Sequence, residues 1–172
     1  MSLAAREYQQ VWTWSWIKSH PVLFFGINTH LLLRTLFGIF WLAAGINKIN
    51  KDWLTSDILK DIFLDRLTEM PPDAFASLFL QHFGIPLYIL VAWVITFGEI
   101  LSAVGLLLGL CTRPSAAISM FILLGFAIGG YYDASLIPFF ILNAAFLYWP
   151  SGLWLGFDRH LNQRYPNPGY FR

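Results

Sequence analysis

Apolar residues dominate four stretches of the chain, and the polar positions that interrupt them are few and regularly spaced. The longest stretch, Ile85 to Cys111, exceeds the about 20 residues that a bilayer-crossing helix needs and predicts a tilted span over 85–111. One acid, Glu99, stands near its middle. An ionisable group at that depth costs at least ~2.5 kcal/mol even on lenient insertion scales, so it requires a partner, a proton or a task. Gly98, Ser102, Gly105 and Gly109 recur at steps of 4, 3 and 4. They make a stripe of small residues along which a second helix can approach backbone to backbone.

A first span is predicted over 31–48. Arg34, Gly38, Trp41, Gly45 and Lys48 recur at steps of 4, 3, 4 and 3, which puts both cations and both glycines on one face. At helical rise the two cations stand roughly 21 Å apart. Each is close enough to an end of the span to snorkel. Arg34 shares its face with the packing glycines, so an inward orientation is equally open for it. The third span, 115–132, contains Gly125-x-x-x-Gly129, a packing signal that is weak alone. The fourth, 136–155, has Pro138 in its first turn and is interrupted at Pro150 and Gly152. Asn143 lies within it and requires a hydrogen-bond partner among the helices.

Two segments follow the helical period without being apolar enough to span. In the loop 51–84, Asp57, Asp61, Asp65 and Glu69 fall four apart, opposite Ile58, Ile62, Phe63 and Leu67. Pro71-Pro72 stops that helix, and a second series of Phe75, Leu78, Phe79, His82 and Phe83 follows. The acidic row reads as a solvated face or as a docking surface for a basic partner. The arm 1–29 puts Tyr8, Val11, Trp12 and Trp16 on one helical face, suited to lying along the headgroups. The tail, 159–172, ends in a polar, Pro-rich stretch, Asn162 to Arg172, that is expected to be extended.

Composition agrees with a membrane setting: 57% hydrophobic residues with 12% charged is too apolar for one soluble core. The eight tryptophans suit interfacial anchoring. The fold class expected is therefore all-α, an integral membrane four-helix bundle with amphipathic surface helices at the N-terminus and in the first loop. All 172 residues form one domain. Four spans put both termini on one side. That side holds Arg6, Lys18, Arg34, Arg113, Arg159, Arg164 and Arg172, against Lys48, Lys51, Lys60 and Arg66 opposite. Seven against four places the termini in the cytoplasm and the acidic loop outside. No basic block points to nucleic acid. Cys111 is the single cysteine, so no disulfide or thiolate cluster is expected. No histidine lies mid-span for haem, and zinc ligands are lacking.

The order and spacing of several features resemble the DoxX/DoxD family of small four-helix membrane proteins. They are Arg34 followed by Gly45-x-x-Lys48, then Glu99 followed by GLLLGLCTR (105–113), then SGLWLGFD (151–158). The likeness covers roughly 31–160 apart from most of 51–84, which looks like an insertion; Trp-Pro-Ser-Gly stands where relatives often show Gly-Pro-Gly. The resemblance implies a bacterial-type plasma or internal membrane and association with oxidoreductase assemblies, DoxD-type members being thiosulfate:quinone oxidoreductase subunits. It carries over to Arg34, Lys48, Glu99, Arg113 and Asp158. One reading places a quinone or quinol around Glu99 and Arg34, with Trp41, Trp93 and Asn143 completing the site, because quinol oxidation releases protons in a low-dielectric layer. In another, Glu99 merely pairs with Arg34, or bonds Ser102 or Asn143 while protonated. The alternative function is a non-catalytic accessory or assembly subunit held in the bilayer against another membrane protein. An ion or small-molecule carrier would need polar residues at successive depths.

Overall fold

The computed structural model describes Tyr8 and residues 10–165; Arg6 and the tail positions 166–172 lie outside the described residues. Helices account for the secondary structure, with no strand among the described residues. In order they are α1 (Trp14–Ser19), α2 (Pro21–Asn50), α3 (Ile58–Thr68), α4 (Phe75–Phe79), a π turn (Leu80–Gly84), α5 (Tyr88–Leu108), α6 (Thr112–Ile128), α7 (Leu136–Tyr148), α8 (Ser151–Trp154) and α9 (Asp158–Arg164). By length and composition α2 and α5 can cross a membrane, whereas α6 and α7 are shorter apolar helices. Helix α2 packs on α5, α5 on α6, α6 on α7, and α7 returns to α2.

Helix α2 begins ten residues before the predicted span. Pro21 supplies the preset φ of a first helical position. The Asn28 amide bonds back to the Phe24 carbonyl at 2.8 Å instead of breaking the turn. Residues 21–29 therefore extend the first long helix and are not part of a separate arm. What precedes them folds onto the protein: Val11 is buried with Ile27 and Leu31, and the Trp12 indole donates to the Trp154 carbonyl at 3.0 Å. The fourth predicted span also ends early, since α7 stops at Tyr148 and Trp149-Pro150 leads into a separate short turn.

Small residues set the helix contacts. A Cβ on Gly38 would lie 2.8 Å from Leu107 Cγ, and one on Gly45 2.7 Å from Ile100 Cγ1, so α2 and α5 run antiparallel in close contact. Gly98 meets Ile122 of α6, and Gly105 meets Ser115. Gly109 ends α5 in the left-handed region (φ +60°), with Leu110 N–H bonded to the Gly105 carbonyl at 2.9 Å, a Schellman ending. Gly125 departs from this pattern: a Cβ there would meet nothing within 4 Å, so the Gly125-x-x-x-Gly129 pair is no close helix contact at its first position.

Several polar residues are buried among the apolar core, and many large apolar residues face outward. Thr96, Glu99, Ser102, Ser119 and Asn143 are at most 1% exposed, while Leu36, Ile39, Leu101, Phe121 and Ile141 are more than half exposed. In water this arrangement would leave a large apolar surface solvated. The second loop series behaves likewise, with Phe75, Leu78 and Phe83 facing outward and Ala76, Ser77 and Leu80 packed inward.

Candidate functional site

The deep carboxylate of Glu99 has a cation partner, and it is Lys48. Lys48 Nζ donates to Glu99 Oε1 at 2.6 Å and Oε2 at 2.8 Å, with Glu99 1% and Lys48 9% exposed. The pairing with Arg34, Ser102 or Asn143 expected from the sequence does not form. Lys48 stands on the face that also carries Gly38, Trp41 and Gly45, where the close α2–α5 contact brings it level with Glu99. Its ammonium does not snorkel but turns inward to the Glu99 carboxylate. Trp53, in the turn that follows, places its ring 5.1 Å from Nζ, and Phe126 of α6 places another at 6.0 Å. Two aromatic faces and a carboxylate thus replace the water an ammonium ordinarily holds.

The same two rings line an apolar cavity of about 600 Å³ between the loop helices and the outer halves of α5 and α6. Leu59 and Phe63 of α3, Leu80 and Phe83 of the π turn, and Ile95 and Ile122 of the long helices contribute to its wall. The π turn helps shape it: Ile85 N–H reaches the Leu80 carbonyl at 2.8 Å, five residues back, widening the helix where it meets the cavity. Polar groups gather at one edge, where Tyr131, Asp133 and Ser135 follow α6. The cavity falls within the ~300–1,000 Å³ of small-molecule sites and has their mainly apolar lining. Beside Glu99 on α5, the hydroxyls of Thr96 and Ser102, with the indole N–H of Trp41, have no hydrogen-bond partner among the described residues although each residue is at most 1% exposed.

The other residues singled out by sequence are placed elsewhere. Asn143 accepts a short hydrogen bond from the Ser119 hydroxyl and donates to the Phe139 carbonyl at 3.1 Å, joining α6 to α7. Trp41 is 1% exposed in the central core with Phe37, Leu106 and Phe146. Trp93 stacks on Phe97 at 5.2 Å and donates to the Leu54 carbonyl, 43% exposed. None of these three borders the cavity.

Arg34, Arg113 and Asp158 serve backbone groups at the opposite end of α2. Arg34 donates to the Ser151 and Leu155 carbonyls, both at 2.8 Å. Arg113 donates to the Tyr148 carbonyl at 2.8 Å at the end of α7. Asp158, fully buried, accepts from Cys111 N–H (2.6 Å), Thr112 N–H (3.0 Å) and the Thr112 hydroxyl (2.7 Å), capping α6 from a distant part of the chain. Gly109 and Gly156 touch backbone to backbone beside it. These charges build a clasp, and the ion pair stands apart from it.

Periodicity could have found Lys48, because it repeats with the inward face of α2. The cavity had no such signal, since it is enclosed by segments far apart in sequence. The acidic row divides between partners and solvent: Asp57 accepts from the Tyr88 hydroxyl and Glu69 pairs with Arg66 at 2.5 Å, while Asp61 and Asp65 are exposed. Among the described residues no group of three or more histidine, cysteine or acidic side chains is arranged to hold a metal.

A family model described as DoxX matches residues 29–131. Comparison with the curated proteins and with the solved structures gives no match.

Proposed function

The chain belongs to the DoxX family of membrane proteins, and from that membership and the geometry of the site we propose a four-span subunit of a membrane oxidoreductase assembly that holds a quinone or quinol beside Lys48 and Glu99. The observation that carries the reading is the Lys48–Glu99 pair standing directly behind Trp53 and Phe126, two rings that also wall the apolar cavity. The residues suit such a ligand: aromatic faces for a planar head, an apolar volume for a chain, and behind those rings an acid–base pair that does not itself line the cavity. A bound quinone would supply the coupled exchange of electrons and protons. Glu99 then accepts or returns a proton in a region without water, and Lys48 stabilises its carboxylate between exchanges. Trp53 and Phe126 keep bulk water from the pair. Arg34, assigned to the clasp, takes no part in this site. The many outward-facing apolar side chains support a lipid surround, and the excess of Lys and Arg on one side supports cytoplasmic termini.

The test is quinone-linked turnover of the assembled complex. Glu99→Gln leaves Lys48 without its counter-ion, so it is compared with the double variant Lys48→Met/Glu99→Gln, which removes both charges. Assembly of the double variant with turnover reduced about a hundredfold, the range for loss of an acid–base group, is the expected result. Wild-type turnover in the assembled double variant would end the reading.

A second reading, an accessory subunit without chemistry, is favoured by the outward apolar stripe of Phe75, Leu78 and Phe83 and by the clasp role of three charged side chains. It predicts that gentle detergent extraction recovers the protein with a larger partner; a lone monomer would count against it.

A further inference from the structure

We propose that the cavity binds a membrane amphiphile with one long apolar chain and an uncharged hydrogen-bonding head, admitted sideways from the bilayer between α5 and α6 beneath a roof formed by the 51–84 segment. This rests on the reading of the protein as membrane-spanning, and it does not require the head to be a quinone.

The roof is closed and fastened. Leu59, Phe63 and Leu80 are 3%, 8% and 0% exposed. Arg66 of α3 donates to the Gly130 carbonyl and lies 5.0 Å over the Tyr131 ring. Tyr88 at the start of α5 donates to Asp57 just before α3. These contacts tie the segment to both walls of the cavity.

The flank is open. Leu90, Val94 and Phe121 line the cavity and are also 57%, 48% and 65% exposed. One wall is therefore continuous with the surface that faces lipid. Gly125, between the flank and the roof, faces open space: an added Cβ would touch nothing within 4 Å. A chain lying in the bilayer can slide past these residues without meeting a polar group or displacing the roof.

The edge selects the head. Tyr131, Asp133 and Ser135 stand where α6 emerges. Asp133 accepts the Ser135 N–H at 2.7 Å, and hydrogen bonds from Ser135 hold its pKa below the ordinary carboxylate range. A carboxylate at that edge repels a phosphate or a second carboxylate and accepts a hydroxyl hydrogen.

The test uses the full chain in phosphatidylcholine nanodiscs with two probes sharing one diazirine-bearing alkyl chain, a long-chain alcohol and the matching monoalkyl phosphate. After photolysis, peptide mass spectrometry locates the adducts. The alcohol is expected to label residues 121–126 of α6 and 90–95 of α5, and the alkyl phosphate about tenfold less. Gly125→Leu, which fills the open space, and Val94→Trp, which obstructs the flank, should each lower this labelling about tenfold at an unchanged melting temperature. Arg66→Ala, which unfastens the roof, should change the share of labelling at residues 59–63 of α3. Equal labelling by the two probes, unchanged labelling in folded Gly125→Leu and Val94→Trp, or adducts confined to outward positions away from the cavity, such as Leu36 and Leu101, would overturn the proposal. Cavity labelling that no quinone displaces leaves this site standing and removes the quinone. Absence of cavity labelling with Glu99-dependent quinone turnover does the reverse.

Discussion

Lys48→Met is expected to destabilise the protein by about 3–5 kcal/mol, the range for breaking a buried ion pair by removing one partner. The loss comes less from the missing attraction than from what remains. Glu99 is 1% exposed and directs both oxygens at the ammonium. Met fills much of the lysine stem's volume but offers no donor, so the carboxylate is left uncompensated between α2 and α5. The double variant Lys48→Met/Glu99→Gln removes both charges and should recover most of the loss, a strongly non-additive pair. Unfolding in detergent micelles, followed by the helical signal, measures all three proteins. A Lys48→Met loss under ~1 kcal/mol, the ordinary value of an exposed pair, would mean that water reaches this site.

Asp158→Ala should cost about 2–4 kcal/mol, since it removes three hydrogen bonds to a fully buried carboxylate, and bonds to charged acceptors are worth more than neutral ones. Two of the donors are backbone N–H groups at the start of α6, which have no partner within the helix. Gly152→Ala provides an independent check on the geometry. Its new Cβ would lie 2.1 Å from Asp158 Oδ2 and 2.4 Å from Thr112 Oγ1, so it must push the carboxylate out of the cap. The two variants should lower the melting temperature by similar amounts, and Asp158→Ala should leave labelling of the distant cavity unchanged. If Gly152→Ala is as stable as wild type, the clasp is not packed as described.

The clasp shows how far a one-dimensional pattern reaches. Asp158 could be singled out as a charge in a patterned stretch, but not as the N-terminal cap of a helix 46 residues earlier. Arg34 shared a face with small residues and was open to pairing with Glu99. It turns instead to the Ser151 and Leu155 carbonyls, because the break at Trp149-Pro150 leaves chain ends there that require donors. Trp93 lies near Glu99 in sequence yet on another side of α5, where it faces outward.

By itself the sequence determined roughly where the apolar helices lie, which faces carry small residues, and that one acid lies deep on α5. These follow from local chemistry: hydropathy over a 20-residue window, the helical period, and the cost of an ion away from water. Tertiary structure decided which cation meets that acid, that Gly125 borders open space, and that an amphipathic segment roofs a cavity. The physical reason is that a helical period specifies direction around an axis but not the height at which a neighbour stands. Lys48 meets Glu99 because glycines at 38 and 45 set the α2–α5 approach, and because Trp53 and Phe126, far apart in the chain, close over the ammonium.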